Sequence, residues 1–209
     1  MTDMSVIEVA TEQELEEVVG TPLPRAVGKV RPALHDLDRQ WLAASPFCLV
    51  ATCGADGSCD VSPKGDPAGF TLVLDDATIA IPDRRGNRRV DGFRNILQNP
   101  HVGLIYLVPG RGDTLRINGR ARLVREAPFF DQMVVKGDRP RLALVVEIDE
   151  VFHHCSKAFL RSGLWHQENW DTDAVPSRAR IAKALERPDD ALDELERYYG
   201  PSYAAGLYG

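Results

Sequence analysis

Two hydrophobic periods alternate along this chain, and the places where one gives way to the other mark its elements. In TEQELEEVVG (residues 11–20) Leu15, Val18 and Val19 fall on one helical face, Thr11 and Glu14 have capping-box spacing, and Gly20 closes the segment. After a connector carrying Pro22 and Pro24, Pro32 opens a second helical pattern in which Leu34, Leu37 and Trp41 recur. It must end before Ser45-Pro46, because a residue preceding proline is pushed out of the α region.

From Phe47 the period shortens. FCLVATC, a Gly54-Ala55-Asp56-Gly57 turn and SCDVSPK predict a hairpin, and further β-prone runs follow at FTLVLD, TIAIP, VGLIYLV, TLRINGRARLV and RLALVVEID. One helical stretch, VDGFRNILQN, interrupts them. Seven short strands, mostly hairpin-linked, predict a closed antiparallel barrel rather than a parallel α/β sheet. Gly119 inside TLRINGRARLV predicts a bulge or a close backbone approach. Beyond Trp170 the chain is charged and helical again, with one stripe of Ile181, Ala182 and Leu185 and a second of Leu192, Leu195 and Tyr199, stopped by Gly200-Pro201. The expected organisation is a helical segment over 1–45, a strand-rich domain over 46–170 and a helical arm over 171–209, one domain overall.

Charge narrows the function classes. With 25 Lys+Arg against 31 Asp+Glu and a formal net charge of -6, a general affinity for nucleic acid or an anionic membrane is not expected, so any anion site must be local. The acidic N-terminus lacks the form of a signal peptide, and no run reaches the roughly 20 apolar residues that span a bilayer, so a cytoplasmic location is expected. Cys48, Cys53, Cys59 and Cys155 are then expected as reduced thiols. His153-His154-Cys155 resembles a ligand cluster, but adjacent residues on a strand face alternate sides, and no metal is assigned to it.

The strongest local departure from the acidic background is IPDRRGNRR, residues 81–89, where four arginines flank a Gly-Asn turn after a strand. Arginine's planar fork suits phosphate oxygens; read alone, the segment fits a solvated loop or a small RNA-touching patch equally well. Ser62 and Lys64 end another strand on one face and can complete a phosphate cradle. Asn95, and Arg116 with Asn118 on one face of the bulged strand, are further candidates, suited to the polar edge of a planar heterocycle or simply to water. No dinucleotide fingerprint, Walker lysine loop or nucleophile elbow is present.

Taken in order, SPF, DVSPKGDP, IPDRRGN, VGLIYLVPG, TLRINGRA and HCSKAFLRSGLW resemble a bacterial branch of the pyridoxamine 5'-phosphate oxidase-like flavoproteins, from about Val9 to Trp170. The resemblance implies a six-stranded antiparallel split β-barrel, the FMN-binding split barrel, as a homodimer with FMN at the subunit interface. It implies that Ser62, Lys64, Arg84, Arg88 and Arg89 grip the FMN phosphate, that Pro82 and Asp83 approach the ring or ribityl chain, and that Asn95 belongs to the cofactor site. Arg116 and Asn118 would face the flavin from the opposite subunit. Lys157, Arg161, Trp165 and His166 are the candidates on the side of a small-molecule substrate or electron donor. The chain lacks the ending rich in arginine, leucine and proline with which authentic pyridoxamine phosphate oxidases help to hold their substrate phosphate, so vitamin B6 oxidation is not implied. The expected function is an FMN-dependent oxidoreductase. The alternatives are a flavin-binding or flavin-sensing module without dedicated turnover, and a related cofactor such as a deazaflavin or haem in the same cleft.

Overall fold

The computed structural model describes residues 6–208 and divides the chain into two compact units, Met1–Val30 and Arg31–Gly209. In the first, helix α1 (Glu12–Val19) begins where the capping box predicts: Thr11 Oγ1 accepts the Glu14 N–H at 3.2 Å, and Glu14 Oε2 accepts the Thr11 N–H at 3.3 Å. Two of the helix's unpaired N-terminal groups are thereby satisfied. The connector predicted after it contains a short helical turn, α2 (Pro24–Val27), with proline at its first position where no N–H is needed.

The second unit is a mainly antiparallel β structure with flanking helices. Its strands are β1 (Phe47–Cys53), β2 (Cys59–Gly65), β3 (Leu72–Val73), β4 (Thr78–Pro82), β5 (His101–Leu107), β6 (Thr114–Val124) and β7 (Ala143–His154), in the order β2-β1-β5-β6-β7-β4-β3. The sheet has the seven strands that the hydrophobic runs predict, where the family resemblance implied six. The additional one, β3, is a two-residue strand paired only through Leu72 and Val73 with β4.

The sheet is rolled. In the strand order β2 and β4 lie five spacings apart, about 24 Å on a flat sheet at ~4.8 Å per strand. Yet Lys64 Nζ on β2 lies 3.2 Å from Asp83 Oδ1, one residue beyond β4. The cause is one apolar cluster lining the concave face: Val50, Ile79, Ile81, Leu104, Ile117, Leu144 and Val146 from five strands meet Phe93, Ile96, Trp41 and Leu42 from helices. Burying each such side chain stabilises the fold by about 1.5–3 kcal/mol, and only a curved sheet lets all of them reach each other. A second cluster, Ala80, Ala143 and Val145 under Phe130 and Met133, covers the outer face of β4 and β7. This explains why TIAIP and ALVV are apolar without alternation.

At the edge, β2 tolerates Pro63. The Gly54 N–H donates to Ser58 O at 2.7 Å, which makes Gly54 and Ser58 a hydrogen-bonded pair. By alternation Leu49 and Pro63, directly opposite in the register, are a non-bonded pair, so the missing N–H faces away from β1 and costs no ladder bond. The predicted irregularity in β6 is also present: the β6–β7 register shifts between Asn118 and Gly119, and a Cβ on Gly119 would lie 2.1 Å from Glu147 O. Glycine is required there for close approach.

The second predicted helix is shorter than its pattern. Helix α3 spans Asp36–Ala44, starts at His35 instead of Pro32, and buries Asp38, Trp41 and Leu42, while Leu37 is exposed. The reason is a buried carboxylate. Asp38, 1% exposed, accepts two bonds from Arg31 (2.6 and 3.0 Å) and one from the His35 N–H (2.7 Å), and lies 3.1 Å from His153 Nε2. Arg31 also bridges the backbone of Val151, so this cluster fastens α3 to β7. Helix α4 (Asp91–Gln98) packs on β1 and β6, and α5 (Lys157–Ser162) follows β7. In the arm, α6 (Arg178–Leu185) and α7 (Leu192–Tyr198) pair through Ala179, Ala182 and Leu195; Leu185, placed in the predicted stripe, is exposed. No helix among the described residues is long and apolar enough to cross a membrane.

Two stability measurements follow. Gly119→Ala should lower unfolding stability in urea by at least about 2 kcal/mol, because backbone must shift, whereas Gly103→Ala, whose Cβ would meet Asn118 Oδ1 at an ordinary 3.5 Å, should stay within about 1 kcal/mol of the native chain. For Asp38, burial pushes its carboxyl up, but the hydrogen bonds from Arg31 and His35 and the nearby positive charges outweigh burial and hold it below the ordinary carboxylate value. The ion cluster's contribution is therefore complete above the unfolded-state value of about 3.9 and is lost as pH falls through the lower folded value. Asp38→Asn should cost about 1–3 kcal/mol at neutral pH, discounted for the half-exposed Arg31, and the difference from the native chain should shrink in that acid range.

Candidate functional site

Where the sheet's two ends meet, residues 60–65, 82–93 and 138–141 together with Tyr203 enclose a cavity of about 870 Å³. The strand period puts Asp60, Ser62 and Lys64 on the half-buried face of β2, while Val61 and Pro63 point outward. Lys64 Nζ sits between Asp83 Oδ1 at 3.2 Å and the Phe93 ring centroid at 4.6 Å. A cation held by one carboxylate and one ring face keeps donors for a further partner.

The four arginines of the turn after β4 have different surroundings. Arg84 is built into the wall: Nε donates to Asp66 Oδ2 at 2.5 Å, Nη1 to Asp138 O at 3.1 Å and Nη2 to Met133 O at 2.6 Å. It anchors the turn from below. Arg89 donates to Asp91, which raises the arginine and holds the Asp91 carboxyl below its ordinary value, and the Arg89 N–H is accepted by Asn87 Oδ1 at 2.9 Å. Arg88 has φ +62°, a left-handed conformation uncommon for a side-chain-bearing residue, and its guanidinium pairs with no carboxylate among the described residues. Arg85 completes the turn at the cavity wall.

The cavity is a basic island on an acidic chain. Lys64, Arg84, Arg85, Arg88, Arg89, Arg139 and Arg141 face Asp60, Asp83, Asp91 and Asp138. Arg139 is spoken for by Glu126 at 2.6 Å and Asp131 at 2.7 Å, whereas Arg141 is exposed and makes no ion pair among the described residues. The arrangement can bind an anion carrying two or more oxygens at Lys64 and the outer arginines, next to the apolar face of Phe93.

Of the residues singled out from sequence, Ser62, Lys64, Pro82, Asp83, Arg84, Arg88 and Arg89 therefore line one cavity. Asn95 does not; it is buried in α4 and donates to Thr52 Oγ1 at 3.1 Å, fixing that helix to β1. Arg116 and Asn118 lie on the half-buried outer face of β6, with the Arg116 guanidinium 5.1 Å from the Phe152 ring and Asn118 donating to Glu150 at 2.8 Å. Arg116 Nε is buried with no hydrogen-bond partner among the described residues. Lys157 and Arg161 are exposed on α5. Trp165 stacks on Phe159 at 6.0 Å and donates to Arg111 O, and His166 pairs with Glu168 at 2.9 Å. None of these four lines the cavity of its own chain. Asp66, Phe93, Arg141 and Tyr203 were not foreseen. Only Asp66, two residues past Lys64, carried a local signal.

Against this geometry, the family model for pyridoxamine 5'-phosphate oxidase matches residues 34–155, more than half of the chain. The chain belongs to the pyridoxamine 5'-phosphate oxidase family. No curated protein matches the sequence. Among solved structures, HupZ of Group A Streptococcus is 18% identical over 57% of this chain and 93% of its own, with a TM-score of 0.46. A candidate pyridoxamine 5'-phosphate oxidase from Lactobacillus delbrueckii is 22% identical over 58% and 95%, TM-score 0.46. An FMN-binding protein from Syntrophomonas wolfei is 12% identical over 57% and 90%, TM-score 0.42. Membership rests on the sequence match, which includes Ser62, Lys64 and the whole arginine turn.

Cys48, fully buried on β1 opposite Lys64 in the register, has its thiol pushed up to about 12 by burial, against the pull of the Lys64 charge. Iodoacetamide at pH 8 followed by mass spectrometry should label exposed Cys59 and Cys155 and leave Cys48 unmodified in the folded chain. Labelling of Cys48 at the same rate as Cys155 would contradict the packing around β1.

Proposed function

We propose that this member of the family is an FMN-dependent oxidoreductase, working in the cytoplasm as a split-barrel homodimer. The observation that carries the reading is the convergence of Lys64 and the turn 84–89, from opposite ends of the sheet, on one cavity. Its volume falls within the ~300–1,000 Å³ of pockets that hold small organic ligands. Its surplus of cations suits a phosphomonoester.

In this reading Ser62, Lys64, Arg88 and Arg89 hold the phosphate, and Arg84, its donors committed to Asp66, Met133 and Asp138, keeps the turn in place. Pro82 and Asp83 border the ribityl chain or ring, and Asn95 fixes the helix beneath. Arg116 and Asn118 of the partner subunit reach the flavin, which gives the orphaned Arg116 Nε an acceptor. Lys157, Arg161, Trp165 and His166 lie toward a small-molecule substrate or electron donor. Bound FMN supplies electron transfer at its ring, and the side chains bind it, orient it and place positive charge where the reduced ring is anionic.

Lys64→Ala combined with Arg88→Ala should weaken FMN binding by roughly 2–4 kcal/mol, taking about 1.5–3 kcal/mol per charge-assisted contact with overlap; fluorescence titration measures it. A native chain that binds no FMN, or a double variant that binds it unchanged, overturns the reading. Binding without reduction by NADH, NADPH or other donors would instead favour a flavin-carrying or flavin-sensing module.

A further inference from the structure

The arm beyond the matched family span reaches back to the cavity. Its core, Ala179, Ala182 and Leu195 against Leu192 and Tyr199, shares no residue with the clusters of the rolled sheet, and the connector 171–177 is exposed throughout. The arm is thus a small body on a linker, able to shift without opening the sheet's core.

From this body a ring cluster extends. Tyr198 and Tyr199 meet edge to face at 4.8 Å, the Tyr203 ring lies 5.5 and 5.6 Å from them, and the guanidiniums of Arg187 and Arg178 cover Tyr198 and Tyr199. Held on two sides, Tyr203 forms part of the cavity wall. Five residues on, the Tyr208 hydroxyl donates to Asp66, and Lys136 Nζ lies 5.1 Å from the Tyr208 ring. Asp66, 1% exposed at its side chain, is the same carboxylate that holds Arg84. One buried anion therefore fastens both the end of the arm and the base of the arginine turn, so arm position and turn position are mechanically joined.

We propose that the C-terminal arm is a strap over the cavity: Tyr203 is a contact residue for the phosphate-bearing molecule bound there, and the Tyr208–Asp66–Arg84 latch must release for that molecule to enter or leave. The identity of the molecule as a flavin rests on the reading above; the strap itself does not.

The test uses the full chain with FMN as probe. By stopped-flow flavin fluorescence, Tyr208→Phe, which keeps the ring and removes the donor, should raise association and dissociation rates together by about tenfold with little change in Kd. Tyr203→Ala should raise the dissociation rate about tenfold with association nearly unchanged. Native rates in both variants overturn the strap. If the native chain binds no FMN, the flavin reading falls and hydrogen exchange decides the strap alone. Amides in 200–208 and 84–89 should then exchange about tenfold faster in Tyr208→Phe than in the native chain, with the strands unchanged. Equal exchange in the two proteins overturns it.

Discussion

The rolling of the sheet is the constraint from which the rest follows, because it alone brings the end of β2 to the end of β4. The contact that displays the closure, Lys64 to Asp83, does not cause it. Both side chains are partly exposed, at 21% and 31%, and such a pair contributes only about 0–1 kcal/mol. What bends the sheet is the shared cluster of Val50, Ile79, Leu104, Ile117 and Val146, whose burial on a concave face is worth several times more. The bulge at Gly119 permits the bend locally, since only a residue without a Cβ lets β6 pass so close to Glu147. Site and core are therefore separable: apolar contacts shape the scaffold, and the chain reversals at its meeting ends carry the charge.

Those charges are not equivalent. Seven basic side chains at one cavity of a chain with net charge -6 would repel one another unless divided between structural and available roles. Arg84 and Arg139 are divided off by carboxylates and carbonyls from other segments, and Arg89 by Asp91. Arg88 and Arg141 remain facing solvent, with Lys64 partly neutralised beside them. These available cations stand beside others already fixed by carboxylates and carbonyls, an arrangement that lowers the reorganisation any anion binding there requires.

This division also shows how far the sequence could be read. β1, β4 and β6 lie at the residues their hydrophobic runs predict, because Pro46, Pro82 and the Gly-Asp before Thr114 bound β-prone blocks sharply. The Thr11 capping box and the Gly119 irregularity are local signals of the same kind. Leu37 and Leu185 fit helical stripes on paper and are exposed in the fold, because burial depends on what packs opposite, and in α3 that place goes to Asp38 with its Arg31 and His153 partners, the latter 115 residues away. In the same way the four arginines flanking Gly86-Asn87 look alike in IPDRRGNRR, and only distant Asp66, Met133 and Asp138 distinguish Arg84 from Arg88.

The residues least visible in advance are those the rolled sheet borrows from elsewhere. Tyr203 and Tyr208 belong to a segment with its own small core, outside the span that defines the family, and nothing local to GPSYAAGLY points toward a cavity built from residues 60–93. Asp66 is the joint. Buried with a guanidinium on one oxygen and a phenol on the other, it is fully satisfied only while the arginine turn and the arm are both in place. Removing either partner leaves a buried carboxylate short of a donor, a costly state. The arginine turn and the arm are thus joined through a single carboxylate that lies outside the strands of the rolled sheet.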